Sequence, residues 1–159
     1  MIRSMTGFGD ASGHESVDGG RVEYFVEIRS VNAKYFKAMM RLPDELQSLE
    51  PEIEMAVRKR RDRGTVTIRV AMSDTSASAA LDINHRALDR YAEQIGQAKA
   101  VRSGELSFDI SSLLTLPGVL QAPGGEEERL DRSRAVLLPL VDEACARVIE
   151  MRKREGESL

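Results

Sequence analysis

The feature that most constrains the fold of this chain is a period-two alternation of apolar and polar residues. Residues 21–30, 35–42 and 65–73 each carry apolar side chains at every second position. This alternation predicts β-strands that bury one face and leave the other in water. A further strand is predicted near residues 4–11, before the turn-forming Asp18-Gly19-Gly20. Four such strands predict one mainly antiparallel sheet with a solvent-exposed face.

Apolar residues at helical spacing predict three helices outside the strands. The first covers residues 44–63, with Asp44 as the expected N-cap and Pro51 as a point where the helix breaks or restarts. The second begins at Asn84, and a long arm covers residues 131–155. The order β-β-β-α-β-α, followed by a linker and a helical arm, predicts an α+β fold with the helices on one face of the sheet.

Composition excludes several classes of protein. The chain has 159 residues, 42% of them apolar, which is enough for the core of one domain. The net charge of -3 argues against nucleic-acid binding by bulk charge but leaves a local basic face open. The single Cys145 excludes an internal disulfide and a thiolate zinc site within one chain. No apolar run reaches the roughly 18 residues of a membrane span, and the start lacks a signal peptide, so we expect a cytoplasmic protein.

The sequence offers no complete catalytic constellation. His14 and His85 are far apart, and no phosphate-binding loop or nucleophile elbow is present. The tripeptide Gly7-Phe8-Gly9 is too short to indicate a nucleotide-binding site. Acidic residues on the first helix alternate around it instead of converging, as a divalent metal would require. The catalytic residues therefore stay unknown, and no metal ligand is nominated.

Basic residues at solvent-facing strand positions are the most informative charge pattern. A row of such groups on a rigid sheet suits phosphate binding, and Tyr35 or Phe25 is available for base stacking. Basic strand faces also occur for solubility alone, so both interpretations remain open. Asn32 is expected either to turn the chain or to contact a base edge. The predicted row consists of Arg29, Lys37, Arg41 and Arg69.

Six short motifs occur in order along the chain: Ser4-Met5-Thr6-Gly7-Phe8-Gly9, Glu27-Ile28-Arg29-Ser30-Val31-Asn32, Arg41-Leu42-Pro43, Arg63-Gly64, Leu116-Pro117-Gly118-Val119 and Arg152-x-x-Glu155-Gly156-x-x-Leu159. Together these motifs resemble the YicC-like family over essentially the whole chain. The resemblance implies a bacterial, metal-dependent endoribonuclease that acts on RNA and assembles as a ring-like hexamer. It also implies that such chains continue into a helical C-terminal domain. A weaker analogy links the strand order to the left-handed β-α-β arrangement of ribonuclease PH-type folds.

The resemblance implies that this chain is the RNA-engaging and oligomerising N-terminal part of such an enzyme. Residues 1–122 are expected to form the N-terminal domain, and residues 123–159 a linker with the start of a connecting helix. The stripe from Leu137 to Met151 on that helix is expected to pack against a neighbouring chain or the further domain. The alternative is a non-catalytic oligomerisation or scaffold module. Mn²⁺ or Mg²⁺ is expected for the full-length enzyme, with no ligand assigned within this chain.

Individual positions follow from the motifs together with the basic strand pattern. The family's motif positions occur here as Arg29, Ser30, Asn32, Arg41, Arg63, Arg152 and Glu155. Two lysines depart from the family pattern, which usually has an arginine at the position of Lys34 and an acid near the position of Lys37. Lysine does not replace arginine in bidentate phosphate contacts. Arg152 and Glu155 are expected at a junction or interface. The expected RNA-binding residues are Arg29, Asn32, Lys34, Lys37, Arg41, Arg63 and Arg69.

Overall fold

The computed structural model describes residues 6–60 and 63–158, with side chains as far as residue 154. The chain divides into two compact units. The first unit comprises the described residues up to 77 together with those from 127 onward. The second unit comprises residues 78–126.

A four-stranded sheet forms the first unit. Strands β1 and β2 form a hairpin whose turn residues Asp18 and Gly19 have φ of 40° and 77°. Positive φ at both positions suits a tight two-residue hairpin, which explains the Asp-Gly pair. The strand order across the sheet is β1-β2-β4-β3. The strands are β1 (Thr6–Val17), β2 (Gly20–Val31), β3 (Phe36–Arg41) and β4 (Gly64–Asp74).

The sheet is mixed, so the predicted mainly antiparallel arrangement is wrong for one strand pair. β2 is antiparallel to both β1 and β4, whereas β3 runs parallel to β4. The physical reason is the connection between β3 and β4, which contains helix α1 (Glu50–Arg58) and carries the chain back to the end where β3 began. The α+β class is confirmed. The analogy with ribonuclease PH-type folds stays a prediction.

Helix α1 begins later than the sequence predicted. A 3₁₀ turn covers Asp44–Leu49, and its N-cap residue is Pro43, so the expectation that Asp44 caps the helix is wrong. Pro51 lies in the first turn of α1, where its missing N–H leaves no hydrogen bond unmade. The expected restart at Pro51 is therefore confirmed.

Helices α1 and α4 (Glu126–Ser158) cover one face of the sheet. Arg134 of α4 pairs with Glu52 of α1 at 2.7 Å, which links the two helices above the core. The stripe expected to face a partner is buried against the chain's own sheet, so that expectation is wrong: Leu137 and Val141 are fully buried. The sequence predicted correctly that α4 buries one side, but that side packs against the chain's own sheet. The separation at residue 122 stays a prediction.

The second unit is small and has few buried side chains. Asn84 caps α2 by accepting a hydrogen bond from the Ala87 N–H, in agreement with the predicted helix start. The Tyr91 hydroxyl donates to the Pro117 carbonyl at 2.8 Å. Within the described ranges, no helix has both the length and the apolar character of a membrane span. The elements of this unit are β5 (Asp82–Ile83), α2 (His85–Gly96), α3 (Lys99–Arg102) and β6 (Leu120–Gln121).

Candidate nucleic-acid interface

The face of the four-stranded sheet opposite α1 and α4 is the candidate interface, and we call it the open face. Because side chains alternate along each strand, every second residue of β1 to β4 points to this face. Its side chains are exposed or half-buried, including the large apolar Phe8 and Phe25 at 36% and 40% exposure. Exposed aromatic rings are the groups on which bases stack when proteins bind single-stranded nucleic acid.

The β3–β4 half of the open face is cationic. Lys37 and Arg41 lie on β3, and Arg69 of β4 is paired in register with Arg41. The outward positions of these two strands contain no acidic residue. Within residues 6–60 and 63–154, no carboxylate lies within 4.0 Å of these three cations, so their charge is not consumed by internal ion pairs. Such unpaired, neighbouring cations suit phosphate binding.

The β1–β2 half of the open face is internally paired. Nε of Arg29 lies 2.7 Å from a carboxylate oxygen of Glu27, and Nε of Arg21 lies 3.3 Å from one of Glu23. The Arg29 guanidinium also lies over the Phe8 ring, 5.5 Å from its centroid. Arg29 is therefore on the predicted face, but its charge is balanced by Glu27. Phe8 is a member of this face that the sequence interpretation did not use.

The remaining predicted RNA-binding residues lie near the end of the sheet where β3 and β4 begin. Asn32 and Lys34 are in the segment between β2 and β3, and Arg63 directly precedes β4. The Gly64 N–H donates to the Tyr35 carbonyl at 3.2 Å, which brings the two strand starts together. The Lys34 ammonium lies 5.5 Å from the Tyr35 ring centroid. This end therefore gathers exposed cations, and their RNA-binding role stays a prediction.

Asn32 has a partner within the chain. Its side-chain oxygen accepts a hydrogen bond from Nη2 of Arg152, a residue of α4. The aliphatic part of Arg152 also lies over Gly7, since a Cβ at Gly7 would be 2.9 Å from its Cδ. Arg152 thus joins α4 to the sheet, and its expected role at a junction between domains stays a prediction. The side chain of Glu155 lies outside the described residues.

Two buried hydroxyls connect the core below the open face. The Tyr24 and Ser133 hydroxyl oxygens are 2.7 Å apart and both residues are buried. Burial raises the pKa of Tyr24, the hydrogen bond with Ser133 lowers it, and the Glu15 carboxylate raises it further. A third buried hydroxyl, that of Ser30, has no hydrogen-bond partner among the described residues.

The part of the chain that the structure describes contains no group of three His, Cys, Asp or Glu side chains placed to hold a metal ion. The described residues therefore do not form a site for the divalent ion that the family resemblance implies. No step of a metal-assisted reaction is derived from them. The expectation of Mn²⁺ or Mg²⁺ in the full-length enzyme stays a prediction.

These features define an α+β domain with helices on one sheet face and a partly cationic, aromatic-bearing open face. Residues 2–159 match the family model described as "Endoribonuclease YicC-like, N-terminal region", and the chain belongs to this family. The predicted family membership is therefore confirmed.

Curated relatives carry the same family name. The chain is 32% identical over 160 residues to "Probable endoribonuclease YicC" of Haemophilus influenzae (strain ATCC 51907 / DSM 11121 / KW20 / Rd). It is 27% identical over 165 residues to the protein of the same name from Clostridioides difficile (strain 630). Both alignments cover 100% of this chain and 53% of the relative. The chain thus spans about half the length of these relatives.

Proposed function

We propose that this chain is the RNA-engaging and oligomerising part of a metal-dependent endoribonuclease, and that the β3–β4 half of its open face holds RNA phosphates. The observation that carries the proposal is the set of cations on these strands, Lys37, Arg41 and Arg69, since neither β3 nor β4 has an acidic residue at an outward position. Glu27 of β2 lies opposite Arg69 in register, but its carboxylate pairs with Arg29. The names of the two relatives support an RNA substrate for the whole protein. The residues that cleave RNA are not assigned within this chain.

Physical reasons favour RNA phosphate over a protein carboxylate at these cations. Residues two apart on a strand and residues opposite each other on paired strands are held at fixed spacings by the backbone. Arg41 and Arg69 are opposite each other, and Lys37 lies four residues before Arg41 on the same face of β3. Such a rigid row matches a ligand that carries one charge per repeating unit. Each phosphate neutralised releases counterions, so binding is expected to weaken steeply with salt.

Charge reversal at Lys37 tests this proposal. We expect Lys37→Glu to weaken binding of a fluorescently labelled single-stranded RNA severalfold and to reduce the slope of log K against log salt by about 0.7. Lys99→Glu is the matched control, since Lys99 is an exposed lysine on α3, outside the sheet. Equal affinity and equal slope for Lys37→Glu and the parent chain would contradict the proposal.

Metal dependence is tested on the longer protein. We expect full-length protein to cleave RNA with Mn²⁺ and to stop when EDTA removes the ion. The same assay on this 159-residue chain determines whether the cleaving groups lie within it. Cleavage by the full-length protein that persists in EDTA would contradict metal dependence.

A specific observation favours the scaffold alternative as a second candidate. The second unit exposes three apolar side chains at alternate positions of residues 106–110, the last of them at the start of a 3₁₀ helix (Ile110–Thr115), and Leu106 is 63% exposed. Apolar groups in such number commonly mark contacts between chains. If this is an oligomerisation surface, Leu106→Ser is expected to lower the mass measured by sedimentation, while RNA affinity per chain stays unchanged. These side chains are Leu106, Phe108 and Ile110.

A further inference from the structure

We propose that the open face binds single-stranded RNA in one orientation, with the ribose-phosphate backbone along β3 and β4 and an unpaired base stacked on Phe25. The inference rests on the proposed function, because it specifies which form of RNA the open face takes. It assigns a base-stacking site on β2 that is separate from the phosphate-binding cations.

The orientation follows from the division of charge across the open face. All outward carboxylates lie on β1 and β2, namely Asp10, Glu23 and Glu27, whereas the outward positions of β3 and β4 carry only cations and uncharged residues. Each of these three carboxylates has an arginine partner within 4 Å, so the first half is close to neutral, and a polyanion is attracted mainly to the second half. The bases, which carry no charge, are then the part of the RNA that extends over β2 and β1.

Phe25 is the aromatic ring available on that side. Its ring is 40% exposed, and within the described residues no cation is stacked on it. Phe8 differs, because the Arg29 guanidinium already lies over its ring. A free aromatic face attracts any base, since base–aromatic stacking depends on the π-surface and not on hydrogen-bonding groups.

The neighbours of Phe25 leave space for a base. Across the strands, Phe25 is flanked by Ser12 of β1 and Ala71 of β4, both with small side chains. Arg69 is the diagonal neighbour of Phe25 on β4. Diagonal positions on two paired strands are about 7–8 Å apart, measured between backbone atoms. That separation suits the ribose that joins a base to its phosphate. A nucleotide whose base lies on Phe25 would then have its phosphate near Arg69, whose opposite neighbour on β2 is Glu27.

A groove next to Phe25 supplies groups for the edges of the base. It is an open groove of about 480 Å³, lined by residues of β1, β2 and β4. His14, Glu23 and Ser73 contribute polar atoms to it, so both hydrogen-bond donors and acceptors are present. The groove is open to solvent, so a base stacked on Phe25 can reach these polar atoms from the surface.

Stacking on Phe25 requires an unpaired base. In duplex RNA the bases are stacked inside the helix, so only phosphates and ribose hydroxyls reach a flat protein surface. The cations on β3 and β4 act on both forms of RNA, whereas the Phe25 ring adds affinity for the single-stranded form alone. The structure therefore predicts a preference for single strands that depends on one side chain.

Fluorescence tests this contact directly, because the chain contains no tryptophan. Phe25→Trp places a unique fluorophore on the open face. We expect single-stranded oligouridine or oligoadenosine to quench it on binding, and a blunt RNA duplex of the same length to bind without quenching. Phe108→Trp is the matched control, since Phe108 is a similarly exposed phenylalanine (38%) in the second unit. Equal quenching at both positions, or none at position 25, overturns the inference.

Affinity provides the second readout. Phe25→Ala is expected to weaken single-stranded binding by about 5- to 150-fold, the range for loss of one base–aromatic stack. The salt slope is expected to stay unchanged, because no charge is removed, and Phe25→Tyr is expected to retain the parent affinity. Arg69→Gln is expected to lower the slope by about 0.7. If Phe25→Ala loses the fold, the tryptophan and tyrosine variants alone decide the question.

The outcomes separate this inference from the proposed function. A chain that binds neither form of RNA overturns both. Phosphate binding that depends on Lys37 and Arg69 but is indifferent to Phe25 overturns only the stacking site. Equal losses of affinity for single-stranded and duplex RNA in Phe25→Ala also overturn the stacking site. If Phe25→Ala instead changes the sedimentation of the chain without changing its RNA affinity, the stacking site is overturned as well. That result would make the open face a contact between copies of the chain.

Discussion

The hydroxyl oxygens of Tyr24 on β2 and Ser133 on α4 are 2.7 Å apart and buried, forming a hydrogen bond between sheet and helix. Tyr24→Phe removes this bond and leaves the Ser133 hydroxyl buried without that partner. We expect the free energy of unfolding to fall by about 1–3 kcal/mol, measured by urea denaturation.

The matched variants are Ser133→Ala and the double variant. If the two hydroxyls bond to each other, the double variant is less destabilised than the sum of the single ones. Additive losses would show that the hydroxyls act separately. Because the double replacement leaves neither of the two hydroxyls unpaired, its stability is expected to approach that of the parent chain.

The same tyrosine predicts a pH dependence at the alkaline side. Burial raises the pKa of Tyr24 above its ordinary value of 10, so the folded chain keeps the hydroxyl proton at a pH where the unfolded chain releases it. The stability from this group is fully present below pH 10 and is lost as the pH rises through the folded-state pKa. Chemical denaturation between pH 8 and about 11 measures this loss, which is expected to be smaller in Tyr24→Phe. An identical decline in both proteins would contradict the assignment.

Glycines on β1 permit α4 to lie close to the sheet. A Cβ at Gly9 would be 2.3 Å from the backbone oxygen of Ala144, so Gly9→Ala requires the helix to move. We expect a loss of about 1–3 kcal/mol of unfolding free energy. Gly13→Ala is the matched control, since its Cβ would meet only the Leu140 side chain, at 3.3 Å. That variant is expected to be near neutral, because lower entropy of the unfolded chain offsets the tighter contact.

Thermal unfolding of the two alanine variants provides the comparison. If Gly9→Ala were as stable as Gly13→Ala, the close approach of α4 to β1 would be contradicted. Open-face RNA binding is expected to survive in Gly13→Ala, because Gly13 lies under α4 and its variant leaves Lys37 and Arg69 in place.

The sequence predicted the secondary-structure elements better than it predicted which elements pack next to each other. Alternation along β2 and β4 identified both strands and the face that each buries, because strand periodicity is local. Orientation is not local: the parallel pairing of β3 with β4 depends on where the connection through α1 returns the chain. The stripe containing Leu137 likewise showed that α4 buries one side, without showing that its partner is the chain's own sheet.

In the candidate site, too, the sequence predicted what local spacing determines and missed what depends on contacts between side chains. Strand positions placed Lys37, Arg41 and Arg69 on one face, as the structure has them. The sequence analysis did not predict that Glu27 pairs with Arg29. The pair could have been predicted, because residues two apart on a strand lie on the same face. The sequence analysis did not place Phe8 on the open face, because the glycines on either side of it interrupt the apolar alternation of β1. These glycines make room for α4, which only the structure shows.

Asn32 and Arg152 are 120 positions apart, and no sequence pattern indicated their hydrogen bond. Since the Asn32 oxygen is engaged by Arg152, we expect Asn32→Ala to act on the attachment of α4. The expected loss is about 0.5–1.5 kcal/mol of unfolding free energy, with RNA affinity and salt slope unchanged. A double-mutant cycle with Arg152→Ala is expected to show coupling between the two side chains. Normal stability of Asn32→Ala together with weakened RNA binding would instead make Asn32 an RNA contact, because its amide would then be needed by the ligand and not by the helix.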